Sequence, residues 1–530
     1  MPNSFKLQER GVLLWLVGAI LLLAIAVRVH RITVPVIWYD EAFSVLLSRM
    51  PPGQIVFHAV RDVHPPLYYL ILHYWMQWFG EGALAVRSLS LTCGAASVWV
   101  AIWLTRQASS WRAALVAGVL LALLPLAVRY SQEARMYALL GLLLLTATGL
   151  LLRWARTLDR RYLFGYAVLI TASLYTHYFT LWCVMANWSY VLLARSASGQ
   201  RLYRIHAWWL CNLAIALAYL PWLPSLLVQV EHRGSLDWIP DVGLLSVPMA
   251  LWQAFSWGEG DNWAYAITTT LVLIAASIKV TLQDTTLAKP GLLLLAYTVV
   301  PIVGAWLISF AMPLFMVRYL VFAMLGIAPL MAIALNDLHS YWRALTIAAC
   351  LGLETMGLVL MHADRSRLNG SDEWVDNRLD GVMSRVNVQW RPGDAMLVDG
   401  ITWYYTVELL NHTGQVPFIL MTKEQGDNSG RAANTYGGAT LLYPRSEQLY
   451  VADPLTKDWR AQRIWWIASG PVSAIEMQLL QGWTRLGEIQ EGRSRALLFK
   501  APVHPSIETG HVQAACGSKL SARAICHMRE

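Results

Sequence analysis

Residues 65–79 read PPLYYLILHYWMQWF, and whether they cross a bilayer decides which side of the membrane every later loop occupies. The run is apolar, but its 15 residues fall short of the ~20 that a helix needs to span the hydrocarbon core. Its Tyr, Trp and His side chains are those of a lipid–water boundary. Pro65 and Pro66 remove backbone donors and fix a turn ahead of it. The stretch is therefore predicted as an interfacial or re-entrant helix that does not cross.

On either side of it lie runs of spanning length, near 11–29, 83–105, 112–129, 136–152, 162–176, 178–194, 207–229, 263–281, 290–310, 316–336 and 343–361. Backbone polar groups find no partner in lipid, so each run is predicted as a helix. Arg28 and Arg31 close the first run with no small-residue cleavage site, which reads as a retained span and not a signal peptide. Charge tests the reading of 65–79. With that stretch not crossing, the N-terminus and alternate connections hold fourteen basic residues against four acidic ones, and the opposite face nine against ten. The positive-inside rule makes the first set cytoplasmic, with the N-terminus inside and the C-terminal region outside. Letting 65–79 span would throw nearly all the basic loops outside.

Composition agrees with two solvents. The chain of 530 residues is 56% apolar and 14% charged, against roughly 25% charge in soluble globular proteins. Residues 1–361 hold 23 basic and 15 acidic residues, and residues 362–530 hold 18 of each, so the net +8 belongs to the membrane part. Basic loops at a membrane account for the high pI better than a nucleic-acid partner does. Cys93, Cys183, Cys211 and Cys350 sit in apolar stretches as small hydrophobes, and Cys516 and Cys526 show no metal-site spacing.

The long outer connections carry the unusual polar residues. IWYDEAFS places Asp40 and Glu41 just beyond the first span, flanked by Trp38, Tyr39 and Phe43. An acidic pair at a lipid interface is costly unless it serves as base, metal ligand or partner to a cation; a solvated turn is the plain alternative. In RDVHPPLYY, His64 is held extended before the prolines, where it binds a phosphate or a metal or caps the turn. RYSQEARMYALL sets Arg135 and Tyr137 at the mouth of a span with Arg129 and Glu133 close by; Arg318 and Tyr319 repeat the arrangement, and YTHYF adds His177. Interfacial arginines snorkel to headgroups or clamp phosphate oxygens with their planar fork. Glu354, inside the last span, has no evident partner, and the sequons at Asn187, Asn369 and Asn411 are common by chance.

These residues resemble the GT-C glycosyltransferases, in particular the bacterial family 39 / protein O-mannosyltransferase group and the related aminoarabinose transferase of lipid A. The carriers are WYDEAFS, HPPLYYLILHYWMQWFGEGALAVRS with Arg87, YSQEARMYALL and VRYLVFAMLGIAPLMA, in order across residues 10–361. The resemblance implies a GT-C type polytopic helical protein of about eleven transmembrane helices in the cell (plasma or inner) membrane. It implies transfer of a sugar from a polyprenyl-phosphate donor to a glycan, lipid or protein acceptor on the extracytoplasmic side, with inversion. By it Asp40 is the base or the carboxylate that orients the acceptor, and Glu41 its supporting partner. Arg87, Arg135 and Arg318 are candidates for the donor phosphate or for structural pairing in the cavity, His64 is a further candidate for the phosphate, and Tyr39, Tyr137, His177 and Tyr319 line the substrate cavity. Aminoarabinose-transferase-like members carry Glu-Lys before the Pro where Val63 and His64 stand here. The resemblance fixes no cofactor and leaves a divalent metal open; if one takes part, it would fall to Asp40, Glu41 and His64.

Beyond the membrane part (1–361), residues 362–503 read as an extracytoplasmic α/β domain and 504–530 as a disordered tail. The expected elements are a helix capped by Ser371 or Asp372, a strand after RPGD, a helix from TWYY to Gly414, the strands VPFILM and RIWWIAS, a helix to about Leu480 and the hairpin TRLGEIQEGRSRALLF, with a loop over 424–440. No Gly-rich phosphate fingerprint follows a strand, so recognition or packing against the outer loops is the expected role. A transporter or flippase of a lipid-linked saccharide is the alternative, but it would show internal repeats and broken spans with midplane polar residues. A receptor with an outer sensor would not need Asp40 and Glu41 at the interface.

Overall fold

The computed structural model describes residues 2–231, 239–257, 262–363, 377–420 and 437–500. The tail 504–530, the cap at Ser371 or Asp372, Asn369, Cys516, Cys526 and most of the loop 424–440 lie outside the described residues. All eleven expected spans are helical, from α1 (Pro2–Val29) to the last at Ser340–His362. Among the described residues eight helices are long and apolar enough to cross a membrane, or nine if a bent pair counts as one span. Two expected spans fall short of a spanning length, as Arg160–Leu174 and Thr180–Leu193. The YTHYF turn consumes their facing ends, where the N–H groups of Thr176 and His177 both donate to the Ser173 carbonyl at 2.9 Å.

Loop 30–82 folds as three short helices, α2 (Tyr39–Ser48), α3 (Pro52–Arg61) and α4 (Leu67–Phe79), and leads into the long helix α5 (Ala83–Ala108). The decisive stretch is thus a helix of 13 residues, too short to span. Its prolines start it, Gly80 at φ +89° ends it, and the Leu67 N–H ties it to the Tyr175 carbonyl at 3.0 Å. Tyr68, Tyr69, Leu72 and Met76 are buried, while Tyr74 and Trp78 stay exposed on the other side, as suits an interfacial helix.

The bent pair is α6 (Trp111–Leu123) and α7 (Pro125–Ser131), 59° apart. Pro125 has no N–H to offer the Leu121 carbonyl four residues back. Arg28, fully buried in the first span, replaces the lost donors: its guanidinium donates to Leu121 O (3.3 Å), Ala122 O (2.9 Å), Ala24 O (3.1 Å) and Ser131 Oγ (3.1 Å). A Cβ on Gly94 would lie 2.0 Å from Ser131 Oγ, so only glycine lets α5 pass this bend. Gln132 then donates to the Arg28 and His30 carbonyls, which fixes where Glu133 and Arg135 fall. Glu354 is buried, and neither of its oxygens finds a hydrogen bond among the described residues.

The C-terminal region forms a six-stranded sheet of order β3-β2-β1-β4-β6-β5, with β1 (Asp394–Val398), β2 (Phe418–Leu420), β3 (Tyr450–Val451) and β4 (Arg463–Ser469) parallel. The hairpin β5 (Arg485–Glu491) and β6 (Ser494–Lys500) joins antiparallel on β4. Alternation along β4 sends Trp466 to one core with the helix Ala474–Gly482, and Trp465 and Ile467 to the opposite face with the helices Leu379–Gln389 and Ile401–Leu410. That second face is continuous with the apolar core of the membrane part. The helix Ile401–Leu410 stops before the expected Gly414, because Asn411 Oδ1 accepts from Thr413 N (3.0 Å) and Thr413 Oγ1 (2.8 Å) and turns the chain.

Candidate active site

The helix α2 begins at the acidic pair, and its first turn divides the two carboxylates. Glu41 points inward and is 1% exposed. Arg87 on α5 meets it in a two-pronged pair, Nε to Oε1 at 2.8 Å and Nη2 to Oε2 at 2.5 Å. The other three N–H bonds of Arg87 go to the carbonyls of Ile32 (2.7 Å), Pro35 (2.9 Å) and Val36 (3.3 Å), so all five donors of the fork are engaged within the fold. Glu41 Oε1 also accepts from Ala134 N at 2.8 Å, which ties α2 to the turn that carries Arg135.

Asp40 points the other way. Its side chain is 17% exposed, against 1% for Glu41, 2% for Glu133 and 6% for Asp62, so it is the most accessible carboxylate of the cluster. Arg318 Nη1 stands 3.2 Å from Asp40 Oδ2, with its guanidinium 5.5 Å from the centre of the Tyr319 ring. Arg135, 4% exposed, donates from Nη1 to three neutral oxygens: Ser44 Oγ (3.1 Å), the Asp40 carbonyl (3.3 Å) and the Tyr69 hydroxyl (3.4 Å). It reaches a carboxylate through Tyr69, whose hydroxyl donates to Asp62 Oδ2 at 3.3 Å. Arg129 and Glu133 pair at 2.8 Å within their own turn, and burial pushes the Glu133 carboxyl up.

His64 lies with Nδ1 3.5 Å from Asp62 Oδ2. Burial outweighs this carboxylate and holds the imidazole below its ordinary range. Burial acts upward on Asp62, but the His64 ring, the Val63 N–H and the Arg135 charge together prevail and hold the carboxyl below its ordinary range. The rings of His64 and His177 are 5.3 Å apart, His177 and Tyr319 5.2 Å, and Tyr137 and Tyr319 6.3 Å. Burial, with His64, Arg135 and Arg318 nearby, drives the His177 imidazole well below its ordinary range.

Residues named from separate stretches of sequence thus meet at one end of the helical bundle: Asp40, His64, Arg135, Tyr137, His177, Arg318 and Tyr319. Tyr39 joins them at the edge, its ring 5.4 Å from that of Tyr405 in the C-terminal domain. Arg87 and Glu41 are held in the wall behind α2. The trio Asp40, Glu41 and His64 does not converge: Glu41 is spent on Arg87 and Ala134, and among the described residues no group of three His, Cys, Asp or Glu side chains has metal-holding geometry. Three participants went unnoticed in sequence: Ser44, Asp62 and Tyr69. Asp62 and Tyr69 flank His64 in RDVHPPLYY, and their signal was that proximity.

The C-terminal domain closes the other side of α2. Thr406 Oγ1 donates to the Ile37 carbonyl at 3.1 Å, the Tyr405 hydroxyl donates to the Gly438 carbonyl, and His58 Nδ1 meets Thr440 Oγ1 at 3.1 Å. A Cβ on Gly438 would fall 1.9 Å from the Tyr39 hydroxyl, so this approach requires glycine.

Residues 63–224 match the dolichyl-phosphate-mannose-protein mannosyltransferase family. The structure of ArnT from Cupriavidus metallidurans in the apo state superposes with a TM-score of 0.63 at 12% identity, covering 93% of this chain and 98% of that one. The chain has the GT-C fold of ArnT. ArnT bound to undecaprenyl phosphate is similar to the same degree, with a TM-score of 0.61 at 11% identity over 92% of this chain and 98% of that one. The oligosaccharyltransferase of Archaeoglobus fulgidus matches more distantly, with a TM-score of 0.50 at 12% identity over 86% of this chain and 68% of that one. No curated protein matches the chain in sequence. The family match starts at Val63 and takes in His64, Arg87, Arg135, Tyr137 and His177, while Asp40 and Arg318 lie outside it. The contacts within the chain bring those two beside the matched residues.

Proposed function

We propose that the protein is a membrane glycosyltransferase that moves a sugar from a polyprenyl-phosphate donor to an acceptor on the extracytoplasmic side, with inversion and with Asp40 as base. Arg135 carries this reading. An arginine stays charged, and a buried one whose hydrogen bonds among the described residues go to neutral oxygens suits an incoming anion. The family match and the ArnT fold support a lipid-linked phosphate as that anion.

The chemistry follows from the arrangement. The acceptor nucleophile attacks the anomeric carbon and gives its proton to Asp40, while the bond from that carbon to the phosphate oxygen breaks on the opposite face. Arg135 and Arg318 take up the charge of the departing phosphate. In the resting site Arg318 pairs with Asp40, so a phosphate that draws Arg318 away also frees the carboxylate to act as base. Glu41 and Arg87 hold α2 without touching substrate. Residues 1–361 form the transferase unit with the N-terminus cytoplasmic, and residues 362–503 an extracytoplasmic domain that packs on α2; the glycan, lipid or protein acceptor docks from that side.

The test is Asp40→Asn, which keeps size and removes the base. Purified protein in lipid nanodiscs, given a radiolabelled polyprenyl-phosphate sugar and envelope acceptor, is expected to lose about 10²–10⁴-fold in transfer rate. Its melting point and undecaprenyl phosphate binding are expected to persist. Full transfer by that variant removes Asp40 as the base.

A further inference from the structure

Two neutral polar groups in the site are used by nothing in the mechanism above. The Phe179 N–H donates to His177 Nδ1 at 3.1 Å, so Nδ1 presents its lone pair and the proton of the neutral ring sits on Nε2. That Nε2–H is buried and meets no hydrogen-bond acceptor among the described residues. The Tyr137 hydroxyl, on a side chain 1% exposed, is likewise buried without a partner. A buried polar group left in this condition destabilises the fold until a partner arrives, and two of them facing one cluster suit a ligand with hydroxyl groups. Aromatic rings flank them: Tyr319 lies 5.2 Å from both His177 and Phe179 by ring centroid.

The surrounding charges narrow the ligand further. Every carboxylate of the cluster is engaged: Asp40 with Arg318, Glu41 with Arg87, Glu133 with Arg129 and Asp62 with His64 and Tyr69. Arg135 and Arg318 act on His177 from nearby. In the resting site no carboxylate is left over for an ammonium group; the one that phosphate binding frees, Asp40, is committed to the acceptor's proton, and the guanidinium groups of Arg135 and Arg318 stand nearby.

Resting on the proposed transfer from a lipid-linked donor, we infer that His177 and Tyr137, with the faces of Tyr319 and Phe179, form the subsite for the donor's sugar ring, and that this subsite selects a neutral, hydroxylated sugar over an amino sugar. The arginines hold the phosphate by charge. His177 and Tyr137 read the ring by neutral hydrogen bonds, and the aromatic faces cover its C–H surface.

The experiment measures binding to the full-length protein in nanodiscs by tryptophan fluorescence. The probes are undecaprenyl phosphate alone, the same lipid carrying mannose, glucose or arabinose, and the corresponding amino sugars. Wild type is expected to bind at least one neutral sugar lipid more tightly than bare undecaprenyl phosphate and than its amino counterpart. His177→Phe is expected to weaken that sugar lipid on the order of tenfold, with bare undecaprenyl phosphate unchanged and His177→Gln recovering part of the loss. Tyr137→Phe, which removes one oxygen and no volume, is expected to act in the same direction and guards against a folding defect in the first variant. Equal binding of all lipids by wild type and variants, equal weakening of the bare phosphate, or preference for the amino sugars overturns the inference. Absence of undecaprenyl phosphate binding by wild type is a different failure: it removes the lipid-phosphate reading, and the subsite with it.

Discussion

Arg87→Ala separates a clamp from a phosphate ligand. The variant deletes the whole partner of Glu41, leaving a carboxylate that is 1% exposed with the Ala134 N–H as its remaining donor, and it strands the carbonyls of Ile32, Pro35 and Val36. Removing one partner of a buried ion pair costs about 3–5 kcal/mol, a large part of the net stability of an ordinary domain. The loss falls on the chain between the first span and α2, so melting of the purified protein in detergent is expected to drop by several degrees. Adding Glu41→Gln in the same chain is expected to recover part of that drop, because it removes the stranded charge. Undecaprenyl phosphate binding by the protein that remains folded is expected to stay near wild type, since Arg87 has no N–H to spare for a ligand. A normal melting point with abolished lipid-phosphate binding would refute the reasoning and return Arg87 to the phosphate site.

Two other outcomes follow from the same contacts. His64 and His177 are buried neutral, with imidazoles held below the ordinary value of 6.5. Below that value the unfolded chain binds more protons than the folded one, so stability is expected to fall as pH drops from 7 to 5, by up to ~1.4 kcal/mol per pH unit for each histidine. Melting curves across that range should show the slope, and His177→Gln should flatten it; a pH-independent midpoint would argue against buried neutral rings. Gly438→Ala drives a methyl group to 1.9 Å from the Tyr39 hydroxyl and is expected to cut transfer by disturbing the start of α2, with Tyr39→Phe in the same chain restoring part of the rate. Failure of that second substitution to rescue would separate Gly438 from the Asp40 helix.

The fold was legible where single residues constrain the chain strongly. The length of 65–79 and its two prolines fixed α4 as a helix that cannot span, and charge bias supplied an orientation to test. Strand and helix positions in the C-terminal domain followed from runs such as RIWWIAS. Other features depended on contacts between distant segments. Nothing in the sequence joins Arg28 to Pro125, although Arg28 supplies the donors that Pro125 lacks. The division of labour between Asp40 and Glu41 was hidden for the same reason: the two are adjacent, and a turn of helix aims one at Arg87 and the other at Arg318. The strand Tyr450–Val451 is two residues long and pairs only because β2 offers an edge, so no local pattern marks it.

The electrostatic design of the site argues against all its arginines doing one task. Four arginines and four carboxylates gather here, and a balanced cluster held rigidly in pairs would have no reason to admit another anion. Arg87 and Arg129 face carboxylates that are almost wholly buried, where separation would leave an unpaired charge in low dielectric. Arg318 faces the more exposed Asp40 at 3.2 Å, and exchange of that partner for a phosphate oxygen keeps an anion on the guanidinium while the carboxylate left behind is the most accessible of the four. Arg135 gives up only neutral oxygens. The cluster can therefore accept one anion by rearranging Arg318 and Arg135 alone, and the carboxylate set free by that exchange is Asp40, the one placed to take a proton.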